Sequence, residues 1–167
     1  SQTSQESKKQ LETASNDSNK KPLQNFRDLK IWQVGKEIVA EVYKITRALP
    51  NEELHGLTNQ MRSTAVAIPS RISEGHSRRS ARDYQQLLKI AAGSCAELAT
   101  QIEVAVELGY LTAAICEKIM EKIDHETRML NKLISMLAEN LRQHPSRQGG
   151  SQGSVQDKDR SQSSLEI

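Results

Sequence analysis

The chain has little aromatic surface: one Trp, three Tyr and one Phe in 167 residues. Cysteine is as scarce, and two cysteines exclude a disulfide-rich secreted scaffold and a four-cysteine zinc site. No apolar run approaches the ~18 residues of a membrane span, and no charged–apolar–small leader opens the sequence. Charge of one sign is also lacking. With 23 Lys+Arg against 21 Asp+Glu the net charge is +2. That is too weak for a globally basic nucleic-acid binder and too balanced for an acidic tail protein. These absences leave a soluble, cytoplasmic protein of one domain as the expectation, long enough to bury a core without disulfides or metal.

The apolar fraction is 36%, below the roughly 45–50% of globular domains with glycine included, and the deficit is concentrated. Residues 1–25 hold five Ser, four Gln, three Asn and four Lys, and residues 145–167 hold six Ser, four Gln and three Gly. Neither stretch has an apolar period that would offset its ordering entropy, so both are expected to be disordered tails. Residues 26–144 form the domain between them.

That domain reads as four helices. The first, about Asp28 to Ala48, carries the stripe Ile31, Val34, Ile38, Val42, Ile45 and Leu49, and Pro50 stops it. The second, about Glu52 to Ser73, has Asn51 as its candidate cap and the stripe Leu54, Leu57, Met61, Ala65, Ile68 and Ile72. Pro69 is expected to kink it or loosen its last turn, and Gly75 to close it. The third begins at Ser80, where Ser80 and Asp83 resemble a capping box. Its stripe runs Tyr84, Leu88, Ala91, Cys95, Leu98, Ile102 and Ala105 to a stop at Gly109. The fourth spans about Thr112 to Leu141, with Ile115, Ile119, Ile123, Leu130, Leu133 and Leu137 inward. No strand-like alternation competes. Connections of about three, six and three residues force antiparallel neighbours, which gives an all-α, up-down-up-down four-helix bundle. Further apolar residues, among them Tyr43, Ile90, Val104 and Met136, exceed the one stripe a monomer needs and point to self-association.

Catalytic and metal chemistry finds no constellation. Glu52 and His55 form one Glu-x-x-His pair, but the second pair of a di-iron bundle is missing because Lys122 stands three residues before His125. There is no His-Glu-x-x-His, no Gly-x-Gly-x-x-Gly and no phosphate-binding glycine loop ending in Lys. Cys95 and Cys116 face inward but differ in height by roughly 15 Å at 1.5 Å per residue, too far for a disulfide. Both read as small core residues. The expectation is a protein that is not an enzyme and has no cofactor or metal.

The charge is polarised along the chain. Arg62 to Lys89 carries Arg62, Arg71, Arg78, Arg79, Arg82 and Lys89 against Glu74 and Asp83, a local +4. Glu97 to Glu126 carries seven carboxylates against Lys118 and Lys122, a local −5. Antiparallel topology turns these runs into ends. The loop between helices two and three joins Arg27, Lys30, Lys132, Arg142 and His144 at a basic end, opposite Glu52, Glu53, Glu107 and Glu117. Arginine suits bidentate phosphate contact, and Ser77, Ser80 and the start of helix three add candidate donors. The candidate nucleic-acid contacts are Arg62, Arg71, Arg78, Arg79, Arg82 and Lys89.

The run from Glu53 to Gly75, then Ser77-Arg78, Gly93-Ser94-Cys95-Ala96-Glu97, Leu108-Gly109-Tyr110-Leu111 and the opening from Phe26 to Trp32, resembles the 23S rRNA-intervening sequence protein family over roughly 26–140. The resemblance implies a four-helix bundle assembled as a homopentamer around a central channel. It also implies kinship with accessory proteins of diversity-generating retroelements, which bind nucleic acid and a reverse transcriptase. Gln60, Arg62, Pro69, Glu74, Gly75, Gly93, Ser94 and Glu97 match the family pattern. Arg71 replaces its usual Asn and Ser73 its usual Ala, which adds a charge and a hydroxyl near the basic end. Glu97 is placed to reach Arg62 across helices, and Gly93 and Ser94 to admit a neighbouring helix closely. The function expected is a non-enzymatic, oligomeric RNA- or DNA-binding bundle. The alternative is a protein-interaction scaffold or accessory subunit, with a reverse transcriptase or other protein as partner.

Overall fold

In the computed structural model, residues 25–145 are described; the two expected tails lie outside them except for Asn25 and Pro145. Four helices follow in order: α1 Lys30–Ile45, α2 Leu57–Ser77, α3 Ala81–Glu107 and α4 Ala113–Gln143. Each packs on its neighbours in sequence, and α4 closes the square against α1. The all-α, antiparallel bundle expected from the apolar periods is the fold. No helix among the described residues is long and apolar enough to cross a membrane.

The α1 stripe is buried at all six expected positions from Ile31 to Leu49. The helix itself is shorter than its stripe. Single 3-10 turns at Phe26–Asp28 and Thr46–Ala48 flank it. Asn25 caps the first by accepting from the Arg27 N–H at 3.0 Å. Thr46 marks the second, its hydroxyl donating to the Val42 carbonyl at 2.7 Å, the back-bonding that competes with a continuing helix.

Helix α2 departs from expectation at both ends. Asn51 opens only a 3-10 turn, Asn51–Glu53. Glu53 does the capping, its Oε2 accepting from the Leu57 N–H at 3.0 Å, so α2 starts five residues later than expected and Leu54 is left exposed. At the far end neither Pro69 nor Gly75 stops the helix. Pro69 removes one N–H from the ladder but is buried against α1, where a Cβ on Gly35 would lie 3.4 Å from it. Gly75 is a contact glycine. A Cβ there would meet Tyr84 Cδ2 at 2.9 Å and Leu87 Cβ at 3.1 Å, so its missing side chain lets α2 cross the start of α3 closely. The connection is therefore Arg78–Ser80 alone.

Helix α3 begins as expected, with Ser80 Oγ accepting from the Asp83 N–H at 3.3 Å. Gly109 ends it with φ +76°. The Tyr110 N–H donates to the Ala105 carbonyl at 2.9 Å and the Gly109 N–H to that of Val106 at 3.0 Å, the Schellman pattern that needs a left-handed residue. Thr112 caps α4 by accepting from the Ile115 N–H at 3.3 Å. The inward stripe of α4 is shifted from the expected one. Ile115 is 58% exposed, and the buried positions are Cys116, Ile119, Ile123, Glu126 and Leu130. Beyond Leu130, Leu133, Ile134 and Leu137 are only half-buried against the core. Cys95 and Cys116 are buried free thiols, and burial pushes Cys95 up to about 12.

Candidate nucleic-acid interface

The short Arg78–Ser80 turn concentrates cations because two helix ends and the turn itself all carry them. Arg71, Arg78, Arg79, Arg82 and Lys89 are all exposed. Arg71 and Arg78 lie three residues before and four after Glu74 on α2, so all three share a face. The carboxylate bridges both guanidinium groups, at 2.9 Å to Arg71 and 3.1 Å to Arg78. Hydrogen bonds from Arg71 and then Arg78 hold the Glu74 carboxyl below its ordinary range. The bridge fixes two arginines side by side with one surplus charge. Among the described residues no ion pair occupies Arg79, Arg82 or Lys89. Arg82 and Lys89, seven residues apart, line one face of α3 over about 10 Å.

Arg62 does not join them. It lies sixteen residues before Arg78, about 24 Å along the bundle. Its Nε donates to Thr46 Oγ1 at 2.9 Å, and its guanidinium stacks over Tyr43 at 4.7 Å. Glu97 is not its partner. Glu97 Oε1 instead accepts from Gln101 Nε2 at 3.3 Å and lies 3.5 Å from the Thr64 hydroxyl. Of the two expected serine donors, Ser77 spends its proton on the Ser73 carbonyl at 2.8 Å. Ser80 Oγ accepts from Asp83, which leaves its own proton free. Asp83, in the first turn of α3, opposes an anion at that helix start.

At the other end, Tyr110 Oη donates to Glu53 Oε1 at 3.1 Å, and that bond holds the phenol proton above its ordinary range. The acidic run is smaller than its formal count. Glu126 is wholly buried, with neither carboxylate oxygen hydrogen-bonded among the described residues. Burial first, and the nearby Glu37 charge second, push it up to about 8. Protonated at neutral pH, it reduces the local −5 to −4. Sequence reasoning missed it, although a buried carboxyl has a signal: position 126 is the unfilled rung between Ile123 and Leu130. Among the described residues no three His, Cys, Asp or Glu side chains gather closely enough to hold a metal ion.

Residues 27–132 match the profile of the 23S rRNA-intervening sequence protein family, more than half of the chain. The chain belongs to that family. The fold agrees with a crystal structure of a protein of unknown function from the S23 ribosomal protein family of Bacteroides thetaiotaomicron. The two share 20% identity and a TM-score of 0.58 over 62% of this chain and 97% of the other. No curated protein matches the chain. The matched family region covers all five exposed cations of the cluster and excludes about the last three turns of α4.

Proposed function

We propose that the protein is a non-enzymatic, oligomeric nucleic-acid-binding bundle that engages the phosphate backbone of RNA or DNA through its basic end. The observation that carries this reading is the exposed cluster Arg71, Arg78, Arg79, Arg82 and Lys89 around a three-residue turn, with Glu74 and Asp83 as its local counter-charges. Arg62 stands apart and is left out of the site. Each phosphate neutralised contributes salt-dependent, sequence-independent affinity. Self-association is supported by a stripe on α3, where Ile90 is 45% and Val104 42% exposed. Gly93 between them has open space where a side chain would be. A closed ring of subunits sets several basic ends side by side and focuses their potential; the pentamer is the form the family resemblance supports.

The test is fluorescence polarisation with labelled RNA and DNA across a salt series. Affinity should fall steeply with salt, and Arg78→Glu with Arg79→Glu should weaken it by at least about tenfold for two reversed contacts. Absence of binding at low salt would remove this reading. The second reading, an accessory scaffold for a protein such as a reverse transcriptase, draws on the same apolar stripe. A nuclease-insensitive protein partner that survives the arginine reversals would favour it.

A further inference from the structure

Beside the basic turn, an open groove of about 290 Å³ runs where the entry to α1 meets α2. Phe26 and Trp32 pack edge to face across it, 5.3 Å apart at 63°. The Arg27 guanidinium sits 4.5 Å over the Phe26 ring and the Lys36 ammonium 4.4 Å over the Trp32 ring. Pro69, Ser70 and Ser73 of α2 complete the lining. The two serine hydroxyl protons are committed to the Val66 and Ser70 carbonyls, at 2.7 and 2.9 Å, so only lone pairs face outward. Among the described residues no carboxylate lines the groove. Arg71 follows Ser70 directly and leads along α2 to Arg78.

These features describe one ligand chemistry. Two π faces suit a flat heteroaromatic ring, the serine lone pairs suit the exocyclic amino N–H donors of a base such as adenine, and the cations suit an anion attached to that ring. We propose that the groove is a stacking site for an unpaired nucleobase of a single strand, whose flanking phosphates run to Arg27, Lys36 and Arg71. The inference rests on the nucleic-acid reading and deepens it, because a duplex keeps its base faces stacked and cannot use the groove. Arg27 and Lys36 leave their rings for phosphate as the base takes their place, which keeps the rings covered in both states.

Trp32 is the only tryptophan in the chain, so its emission reports the groove directly. The full-length protein is titrated at low salt with an adenine-rich single strand of about 12 nucleotides, its abasic counterpart and a duplex of equal length. The single strand should quench Trp32, while the abasic strand and the duplex bind without quenching. Phe26→Ala should weaken single-strand binding about tenfold, the scale of one lost base stack, and leave duplex binding within about twofold. Phe26→Leu keeps apolar packing and should show the same loss. Equal binding of all three probes with unchanged emission would overturn the stacking site and leave the basic end standing. Binding of none would remove both. An emission change that follows protein concentration and ignores nucleic acid would assign the groove to a second copy of the chain and overturn the proposal.

Discussion

Glu126 is the residue whose ionisation the fold resists most. It faces Glu37 from α1 and Cys95 from α3, with Lys122 one turn away on α4 and committed to Glu37 at 3.3 Å. An unfolded Glu titrates near ~4.3, whereas Glu126 in the bundle titrates at about 8. Between those values the folded chain holds more protons than the unfolded one, so stability falls as pH rises, with a slope of up to ~1.4 kcal/mol per pH unit. Below that window the contribution is fully present, and above it the loss levels off. Urea unfolding across the window, at fixed protein concentration, should show this decline in the wild type and a flatter profile in Glu126→Gln. Parallel profiles would mean that the carboxyl does not titrate there. The periodic stripe of α4 marked this position, but a polar letter in an apolar rung reads as a solvated turn until its neighbours are known.

Helix ends depend on caps, and where a side chain caps within its own turn the sequence was readable. Ser80, Thr112 and Gly109 act where their letters place them. Gly75 was not readable as a contact residue, because a glycine needed for close packing and one that ends a helix look alike before the crossing partner is known. Two of the α-helical glycines, Gly75 and Gly93, separate these roles. Gly93→Ala adds a methyl to open space and should stabilise the isolated subunit by about 0.5–1 kcal/mol through helix propensity. Gly75→Ala gains the same propensity but forces Tyr84 and Leu87 aside. Overpacking of about 1–3 kcal/mol should make it net destabilising. Thermal denaturation of the pair checks the opposite signs.

At the scale of the molecule, the net +2 conceals opposed ends, and the structure sharpens both. The basic end loses Arg62 to Thr46 and Tyr43, and the acidic run loses the charge of Glu126. The fold was almost wholly legible because burial follows a 3.6-residue period. The site was legible as a charge run but not as a surface. Which cations converge depends on where α2 stops, and the Phe26–Trp32 groove joins residues about forty apart that no local pattern links. The α3 stripe carries the assembly prediction. Sedimentation velocity should find species larger than one chain, and Ile90→Glu with Val104→Glu should return a folded monomer. An unchanged mass in that variant would place the interface elsewhere.

The four helices do not hold one another equally. The α2–α3 packing is the most extensive and the α1–α4 seam the sparsest of the four that close the square. Neighbours in sequence meet across short connections, so their contacts form at low loop-closure cost, whereas the seam alone joins segments far apart in the chain. The seam should therefore be the first packing to open in local fluctuations, which amide exchange of α1 and α4 would report. Glu37, Lys122 and Glu126 all lie along it. Ionisation of Glu126 in alkaline solution would place a charge on this sparsest closure, so amide exchange in α1 and α4 should rise with pH ahead of that in the α2–α3 hairpin that carries the arginine turn.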